Sequence, residues 1–193
     1  MAQKQGRLVR EPETGERRQA WGSVAENALR VDRADADVIV DALSVDHAGS
    51  FNLFYLLRKH FWTAAGAEHE ALADFLEDAY KRLRAMNDAL AIRIVELGGI
   101  PPNTPPTIQE RAEVRLEAEH RYDLRASLEG DLEGYATLIA GMRDHVALAE
   151  ERGDPGTAEL LRDHLERLEA DAHVIERALE AETLVRAEVL TDR

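Results

Sequence analysis

Four long segments of the chain carry apolar residues at alternating steps of three and four positions. From about residue 68 to 97 these residues form a single stripe of Leu72, Leu76, Ala79, Leu83, Met86, Leu90, Ile94 and Leu97. Comparable stripes occur in residues 123–152 and in the segment after Pro155. Steps of three and four place side chains on one face of an α-helix. The pattern predicts amphipathic helices of about 40 Å each, at 1.5 Å per residue.

Glycine and proline mark the ends of these helices. Gly98 and Gly99 end the second helix, and the proline pairs at 101–102 and 105–106 prevent it from continuing. The tripeptide at 153–155, Gly-Asp-Pro, provides a stop, an N-cap and a proline suited to a first helical turn. The sequence therefore predicts an all-α, four-helix bundle with a long connection between the second and third helices.

The first helix, from about residue 35 to 63, does not follow the one-stripe pattern. Its apolar residues cover most of its circumference, as Phe51, Leu53, Phe54, Tyr55, Leu56 and Leu57 show. A helix that is apolar on several sides must be buried on several sides. A single bundle would leave too large an apolar patch in water, so we predict that this helix also contacts another subunit.

Composition narrows the classes of function. The chain has no cysteine, which excludes disulfide scaffolds, zinc ribbons and thiol catalysis and suits a reducing cytoplasm. The net charge of −14 makes it a poor ligand for nucleic acid unless its basic residues are segregated. No apolar run follows the early basic residues, so we expect neither a signal peptide nor a membrane partner. We divide the chain into a mobile arm (1–34), a bundle (35–181) and a tail (182–193).

Residues 58–104 read RKHFWTAAGAEHEALADFLEDAYKRLRAMNDALAIRIVELGGIPPNT. This stretch resembles the helix A to helix B segment of Dps-type mini-ferritins, the DNA-binding proteins from starved cells in the ferritin superfamily. The resemblance rests on Trp62, the Gly66 turn, Asp88 and the LGG-x-P ending at 97–101. It continues through AEE-x-GD-x-GTA-x-LL at 149–161, and residues 100–114 match the long B–C connection, where the family inserts a short helix. The resemblance implies a ferritin-like bundle whose subunits pair into dimers and assemble into a hollow dodecamer.

The family's iron-oxidising centre lies between two subunits, and the resemblance carries it over only in part. One subunit supplies two histidines, whose positions hold Phe61 and Ala73 here. The other supplies an Asp-x-x-x-Glu pair, of which Asp88 remains while the Glu position holds Ile92. Glu77 retains a further acidic position. The resemblance therefore implies iron as the bound metal, with Asp88 and Glu77 as residual ligands and a ferroxidase activity that is weak or lost.

Two histidines lie near the missing ligands. His60 precedes Phe61, but one position on a helix rotates a side chain by about 100°, so we expect it to point elsewhere. We interpret it as a helix-end histidine, partly exposed or hydrogen-bonded. His69 lies one turn before Ala73 and is expected at the surface. A shifted centre built from His60, His69 and Asp88 remains the alternative.

Other acidic and histidine residues have helical spacing. Asp74, Glu77 and Asp78 fall on one side of the second helix, either as a site where ferric mineral nucleates or as an ordinary solvated face. Glu117 and His120 have the Glu-x-x-His spacing of the intrasubunit ferritin sites, but they precede the third long helix and so lie outside the bundle. A second set, Glu169, His173 and Glu176, shares one helix face and could supply half of a metal site. A solvated face with local ion pairs is the plainer interpretation of the second.

These observations favour a cytoplasmic Dps-like mini-ferritin that stores iron in a shell and protects against oxidative stress, with a degenerate ferroxidase centre. The alternative is a non-catalytic, cage-forming structural or protective relative. DNA binding should be weak or absent. The basic residues of the arm, Lys4, Arg7, Arg10, Arg17 and Arg18, barely outnumber its acidic ones and project from an acidic particle.

Overall fold

The computed structural model describes residues 9–12, 14–65 and 69–180, and within them every regular element is a helix. The helices are α1 (Arg33–Thr63), α2 (His69–Glu96), α3 (Pro105–Arg111), α4 (Leu124–Glu151) and α5 (Pro155–Glu180). The first three long helices begin and end within two residues of the predicted bounds. The short α3 lies in the predicted B–C connection. The Gly66 turn and the tail at 182–193 lie outside the described residues.

Helix α1 is the centre of the bundle. It packs against α2, α4 and the short α3, while α4 pairs with α5 and α2 touches α5. Leu53, Leu56 and Leu57 are buried inside the subunit, whereas Tyr55 is exposed. Burial on several sides explains why apolar residues cover most of the circumference of α1. Among the described helices, none combines the length and apolarity that crossing a bilayer requires.

The helix ends follow the local chemistry of the sequence. Gly98 has a φ of +89° and ends α2, where the Gly99 amide donates to the Ile94 carbonyl at 2.8 Å. At the other long turn Gly153 has a φ of +72°, and the Asp154 carboxylate accepts from the Thr157 amide at 3.1 Å. Asp154 is therefore the N-cap of α5, as predicted. Both glycines adopt a left-handed conformation that disfavours other residues.

The segment before α1 lies along the bundle. Val24 is buried in the core, and the Ala25 amide donates to the Gly98 carbonyl at 2.9 Å. A Cβ on Gly98 would clash with the Ala25 carbonyl oxygen, so the turn admits glycine for reasons of space as well as backbone angle. Trp21 remains half exposed. Residues 1–8 lie outside the described part, and the arm boundary at residue 34 stays a prediction.

Polar cross-links join α2 to α5, where apolar contact is sparse. The Arg82 guanidinium donates two hydrogen bonds to the Asp171 carboxylate, at 2.6 and 3.2 Å. The Tyr135 hydroxyl of α4 reaches the same carboxylate at 3.3 Å. A forked guanidinium contact fixes direction as well as distance. These three side chains therefore set how α5 lies across α2 and α4.

Candidate metal centre

The side chains at the three positions where the family resemblance implies further iron ligands carry no metal-binding atom. The half-buried Phe61 ring packs on the Tyr80 ring of α2, with centroids 5.6 Å apart. Ile92 is 60% exposed, and Ala73 presents only a methyl group. We refer to Phe61, Ala73, Asp88 and Ile92 as the α1–α2 face. In a subunit taken alone, three of its four positions are apolar.

Asp88 is the one carboxylate of the α1–α2 face, and it is exposed on α2. The charge of Asp88 acts on the imidazole of His47 on α1, a residue that the resemblance did not indicate. His47 is buried edge-on against Phe51, with ring centroids 5.0 Å apart, and its Nδ1 has no hydrogen-bond partner among the described residues. Burial lowers the pKa of His47 to about 4, although the charge of Asp88 opposes this shift. His47 is therefore neutral at pH 7.

The acidic residues on the first turns of α2 are solvent-facing. Asp74 and Asp78 are exposed, and the half-buried Glu77 pairs with Lys81 at 2.7 Å, four residues further along. One lysine thus offsets part of a three-carboxylate patch. This geometry suits loose attraction of cations, and it does not form a coordination shell. His69 contributes nothing that can be described, because its side chain lies outside the described part.

Across residues 9–12, 14–65 and 69–180, no three His, Asp or Glu side chains already converge to hold a metal ion. The predicted set of Glu169, His173 and Glu176 illustrates why. Glu169 pairs with Arg143 at 2.7 Å, and His173 contacts Glu176 at 3.3 Å with both side chains exposed. These are local ion pairs on a solvated helix face. Exposed pairs of this kind contribute little to stability.

The structure places His60 in the interior. The sequence allowed either partial exposure or a hydrogen bond, and the structure shows the second, since His60 is 2% exposed. Its Nδ1 lies 2.8 Å from Asp131 Oδ2 of α4, and its Nε2 lies 3.1 Å from Glu117 Oε2 of the connection. Both ring nitrogens thus face carboxylate oxygens. The side chain points away from the α1–α2 face, as helix phase predicted.

Neighbouring residues balance the charge around His60. Glu117 also accepts hydrogen bonds from the Lys59 ammonium and, at 2.9 Å, from the Ser127 hydroxyl. Burial alone would lower the pKa of His60, but Asp131 and Glu117 outweigh it and raise that pKa. Burial also raises the pKa of Asp131. Asp131 and Glu117 therefore stabilise the protonated form of the buried His60 side chain, and His60 in turn is hydrogen-bonded to one oxygen of each carboxylate.

A second aspartate–histidine pair joins the same two helices. Asp46 of α1 lies with its Oδ1 2.9 Å from the Nδ1 of His145 of α4. Fourteen residues separate Asp46 from His60 on α1, and fourteen separate Asp131 from His145 on α4. The two pairs are therefore matched along antiparallel helices, about 21 Å apart at 1.5 Å per residue. In the sequence, the one signal for these two pairs is the equal spacing of fourteen residues in α1 and in α4, and it must be looked for in both helices together.

Comparison with known proteins agrees with this geometry. The ferritin-like domain model matches residues 40–185. The "DNA protection during starvation protein" of Halobacterium salinarum is 44% identical over 159 residues, which cover 82% of this chain and 87% of that protein. The crystal structure of an archaeal Dps homologue from the same organism matches with a TM-score of 0.86 and 41% identity, covering 92% of this chain and 99% of that one.

A more distant structure adds a description of the superfamily. The Dps protein of Vibrio cholerae, described as a member of a broad superfamily of ferritin-like diiron-carboxylate proteins, matches with a TM-score of 0.76 and 25% identity. It covers 84% of this chain and 99% of that chain. Taken with the domain match and the close relative, the fold defines this chain as a member of the ferritin-like family. Within that family it is a Dps-type mini-ferritin, as the resemblance of residues 35–181 predicted.

Proposed function

We propose that this chain forms a Dps-like shell that sequesters iron and protects the cell from oxidative stress, without a complete ferroxidase centre. The observation that carries the proposal is that the helical scaffold of the family is present, while most of the metal-binding side chains expected at its ferroxidase site are absent. The bundle, the short connection helix and Asp88 are all in place, while positions 61, 73 and 92 lack donor atoms. Two irons require several carboxylate and imidazole ligands with open positions. The residues of the α1–α2 face do not fit that requirement.

Assembly into a homo-oligomer is supported by apolar side chains that an isolated subunit leaves in water. Trp62 at the end of α1 is 64% exposed, and Ile92 and Val95 on α2 are 60% and 57% exposed. In a two-fold dimer the same patch contacts itself in reverse, so Trp62 of one copy can cover the partner's α2. We propose six such dimers in a closed dodecamer. Size-exclusion chromatography with light scattering should report about twelve times 21.6 kDa, and a monomer would contradict the assembly.

Collection of iron is assigned to acidic surface, not to a defined centre. Asp74, Glu77 and Asp78 together carry three carboxylates and only one paired lysine. If these residues line the cavity of the shell, many copies concentrate negative charge in a small volume, which attracts Fe²⁺. Nucleation of mineral needs carboxylate density more than fixed geometry. The residual positions Asp88 and Glu77 add to this density.

The sharpest test compares iron uptake with iron oxidation. Fe²⁺ is loaded without oxygen, oxidised with peroxide in a stopped-flow instrument, and counted per particle afterwards. We expect slow oxidation but substantial retained iron. Changing Asp74, Glu77 and Asp78 to Asn, Gln and Asn should reduce the retained iron. The matched control changes three exposed acids of α4, Glu129, Glu133 and Glu151, to Gln and should retain iron normally.

The alternative is a protective or structural cage that handles no iron. The apolar substitutions on the α1–α2 face favour it, because they remove catalysis from the position where the family has it. An iron count at background level, in particles of normal size, would support this alternative and exclude iron storage. Equal loss of iron in the α2 and α4 variants would show that total charge, not the α2 patch, attracts the metal.

Weak DNA binding stays part of the proposal. The relative from Halobacterium is named for DNA protection, but this chain carries a net charge of −14. In the described part of the arm, Arg17 is already paired with Glu11 at 2.8 Å. Few phosphate contacts remain for such an arm, and the acidic particle repels DNA. A gel shift at physiological salt that disappears on removing residues 1–20 would contradict this expectation. The cytoplasmic location likewise stays a prediction.

A further inference from the structure

The contact line between α1 and α4, covered by connection residues 112–119, is called here the α1–α4 seam. The connection is tied down over it, because Asn52 of α1 donates to the Val114 carbonyl at 2.7 Å. The Val114 side chain fills the space left by Gly49 of α1 and Gly134 of α4, where a Cβ would lie 3.6 and 3.3 Å away. The seam is thus a three-layer junction. Charged side chains enter it from all three elements.

The two aspartate–histidine pairs of the seam differ in how well their polar atoms are satisfied. Both nitrogens of His60 make hydrogen bonds to carboxylates. In the other pair, Asp46 is 1% exposed, yet its Oδ2 accepts no hydrogen bond from any described residue. His145 Nδ1 lies 2.9 Å from Asp46 Oδ1, but the ring N–H is not aligned for a hydrogen bond. A buried carboxylate with an oxygen left unpaired is costly unless something else binds it.

The misaligned contact has the geometry of two ligands of one cation. Ligands at right angles, each about 2.1 Å from a metal ion, are about 3.0 Å apart. The 2.9 Å between Nδ1 and Oδ1 matches this separation without any widening of the seam. This contact lacks the alignment of a hydrogen bond, whereas both ring nitrogens of His60 are hydrogen-bonded to carboxylates.

A third donor lies beside this pair. Glu113 is exposed on the connection, and its Oε2 would be 3.9 Å from a Cβ on Gly141. Gly141 is one turn before His145 on α4, and side chains four residues apart are neighbours on a helix. The site would require a rotation of the Glu113 side chain that brings its carboxylate to the pair. Because this rotation is needed, no three donors already converge within the described part of the chain.

We propose that Asp46, His145 and Glu113 form a binding site for a divalent first-row transition-metal cation at the α1–α4 seam. Two carboxylates and an imidazole suit Mn²⁺, Fe²⁺, Co²⁺ or Zn²⁺, and water completes the shell on the partly exposed His145 side. The charge of Glu113 also acts on Asp46 and His145, and Asp144 adds a further negative charge. The site is separate from the α1–α2 face and does not depend on iron storage.

The experiment uses the full assembled protein, stripped with a chelator, and Co²⁺ as the probe. Co²⁺ is titrated by calorimetry and by its visible absorption, which reports a nitrogen and oxygen shell. Crystals soaked in Co²⁺ should show an anomalous peak within about 2.3 Å of Asp46 and His145. All proteins compared carry Asp88→Asn, so that the one carboxylate of the α1–α2 face does not contribute to Co²⁺ binding.

Three variants decide the outcome. Asp46→Asn should remove one bound Co²⁺ per subunit, and Glu113→Gln should weaken that ion at least about tenfold. Glu119→Gln, an exposed acid on the same connection, removes the same charge and should leave binding unchanged. Glu113 is at the surface, so its variant decides the matter even if Asp46→Asn fails to assemble. Equal effects of Glu113→Gln and Glu119→Gln, or a non-anomalous water between Asp46 and His145, would overturn the proposal.

Discussion

The α1–α2 face and the α1–α4 seam invert the usual relation between polarity and burial. On the face, Phe61 and Ile92 stand where charged or imidazole ligands are expected, and Ile92 is exposed. In the seam, His60 and Asp131 are ionisable residues that are almost completely buried. These buried ionisable groups find partners within one subunit. On the face, the proposed dimer would supply the cover. Within the described subunit, these ionisable residues are buried in the seam, and the α1–α2 face retains only Asp88.

The largest expected effect comes from breaking the seam. His60→Ala leaves the Asp131 carboxylate buried without its imidazole, and loss of one partner of a buried pair typically costs about 3–5 kcal/mol. We expect the free energy of unfolding to fall by about that amount in urea titrations at fixed subunit concentration. His120→Ala, an exposed histidine of the connection, is the control and should change it by about 0.5 kcal/mol at most. A loss below about 1 kcal/mol for His60→Ala would show that water replaces the imidazole.

The second largest effect is expected on Fe²⁺ oxidation when the iron ligands implied by the family are restored on the α1–α2 face. Phe61→His, Ala73→His and Ile92→Glu together restore the ligands beside Asp88, provided the dimer keeps the family geometry. Peroxide-driven oxidation of Fe²⁺ should rise at least about tenfold, equivalent to about 1.4 kcal/mol of barrier. Adding Asp88→Ala to the rebuilt protein should cancel the gain. Rapid oxidation by the unmodified chain that Asp88→Ala abolishes would mean that the face still holds a working centre.

A smaller effect is expected in how the free energy of unfolding depends on pH through the ionisable residues of the seam. His60 has a raised pKa because Asp131 and Glu117 outweigh its burial. Its stabilisation is therefore fully present below the unfolded pKa, about 6.5, and is lost as pH rises through the folded value. Glu117 has a lowered pKa, so its contribution to stability is lost at a different pH, below its ordinary pKa of 4.5. The stability difference between wild type and His60→Gln should shrink as the pH rises above the unfolded pKa of about 6.5, and a difference that grows with pH would contradict this sign.

The smallest effect is expected on the exposed helix face of α5. His173→Ala removes an exposed histidine whose one ion pair among the described residues is with Glu176, at 3.3 Å. The unfolding free energy should change by about 0.5 kcal/mol at most. Iron per particle and Co²⁺ bound per subunit should both stay at the wild-type value. A clear loss of either metal would show that the Glu169, His173 and Glu176 spacing is a metal site after all.

The sequence by itself determined the fold of this protein. The apolar stripes, the glycines at 98 and 153 and the prolines after them act within a few residues, so they set helix bounds without reference to the rest of the chain. The substitutions at 61, 73 and 92 are also visible in the sequence, because the family motif fixes their spacing. Helix phase further indicated that His60 points away from the α1–α2 face.

Only the tertiary structure decided where the buried charges lie. Asp131 is 71 residues from His60 in the chain, and Glu117 belongs to a connection with no helical period. Which carboxylate meets which imidazole depends on the relative position of α1 and α4 along their axes. Core packing and the Val114 contact set that position, and no local pattern encodes it. For the same reason the sequence showed Asp46 and His145 as two unrelated polar residues, and only the packed seam made them a pair.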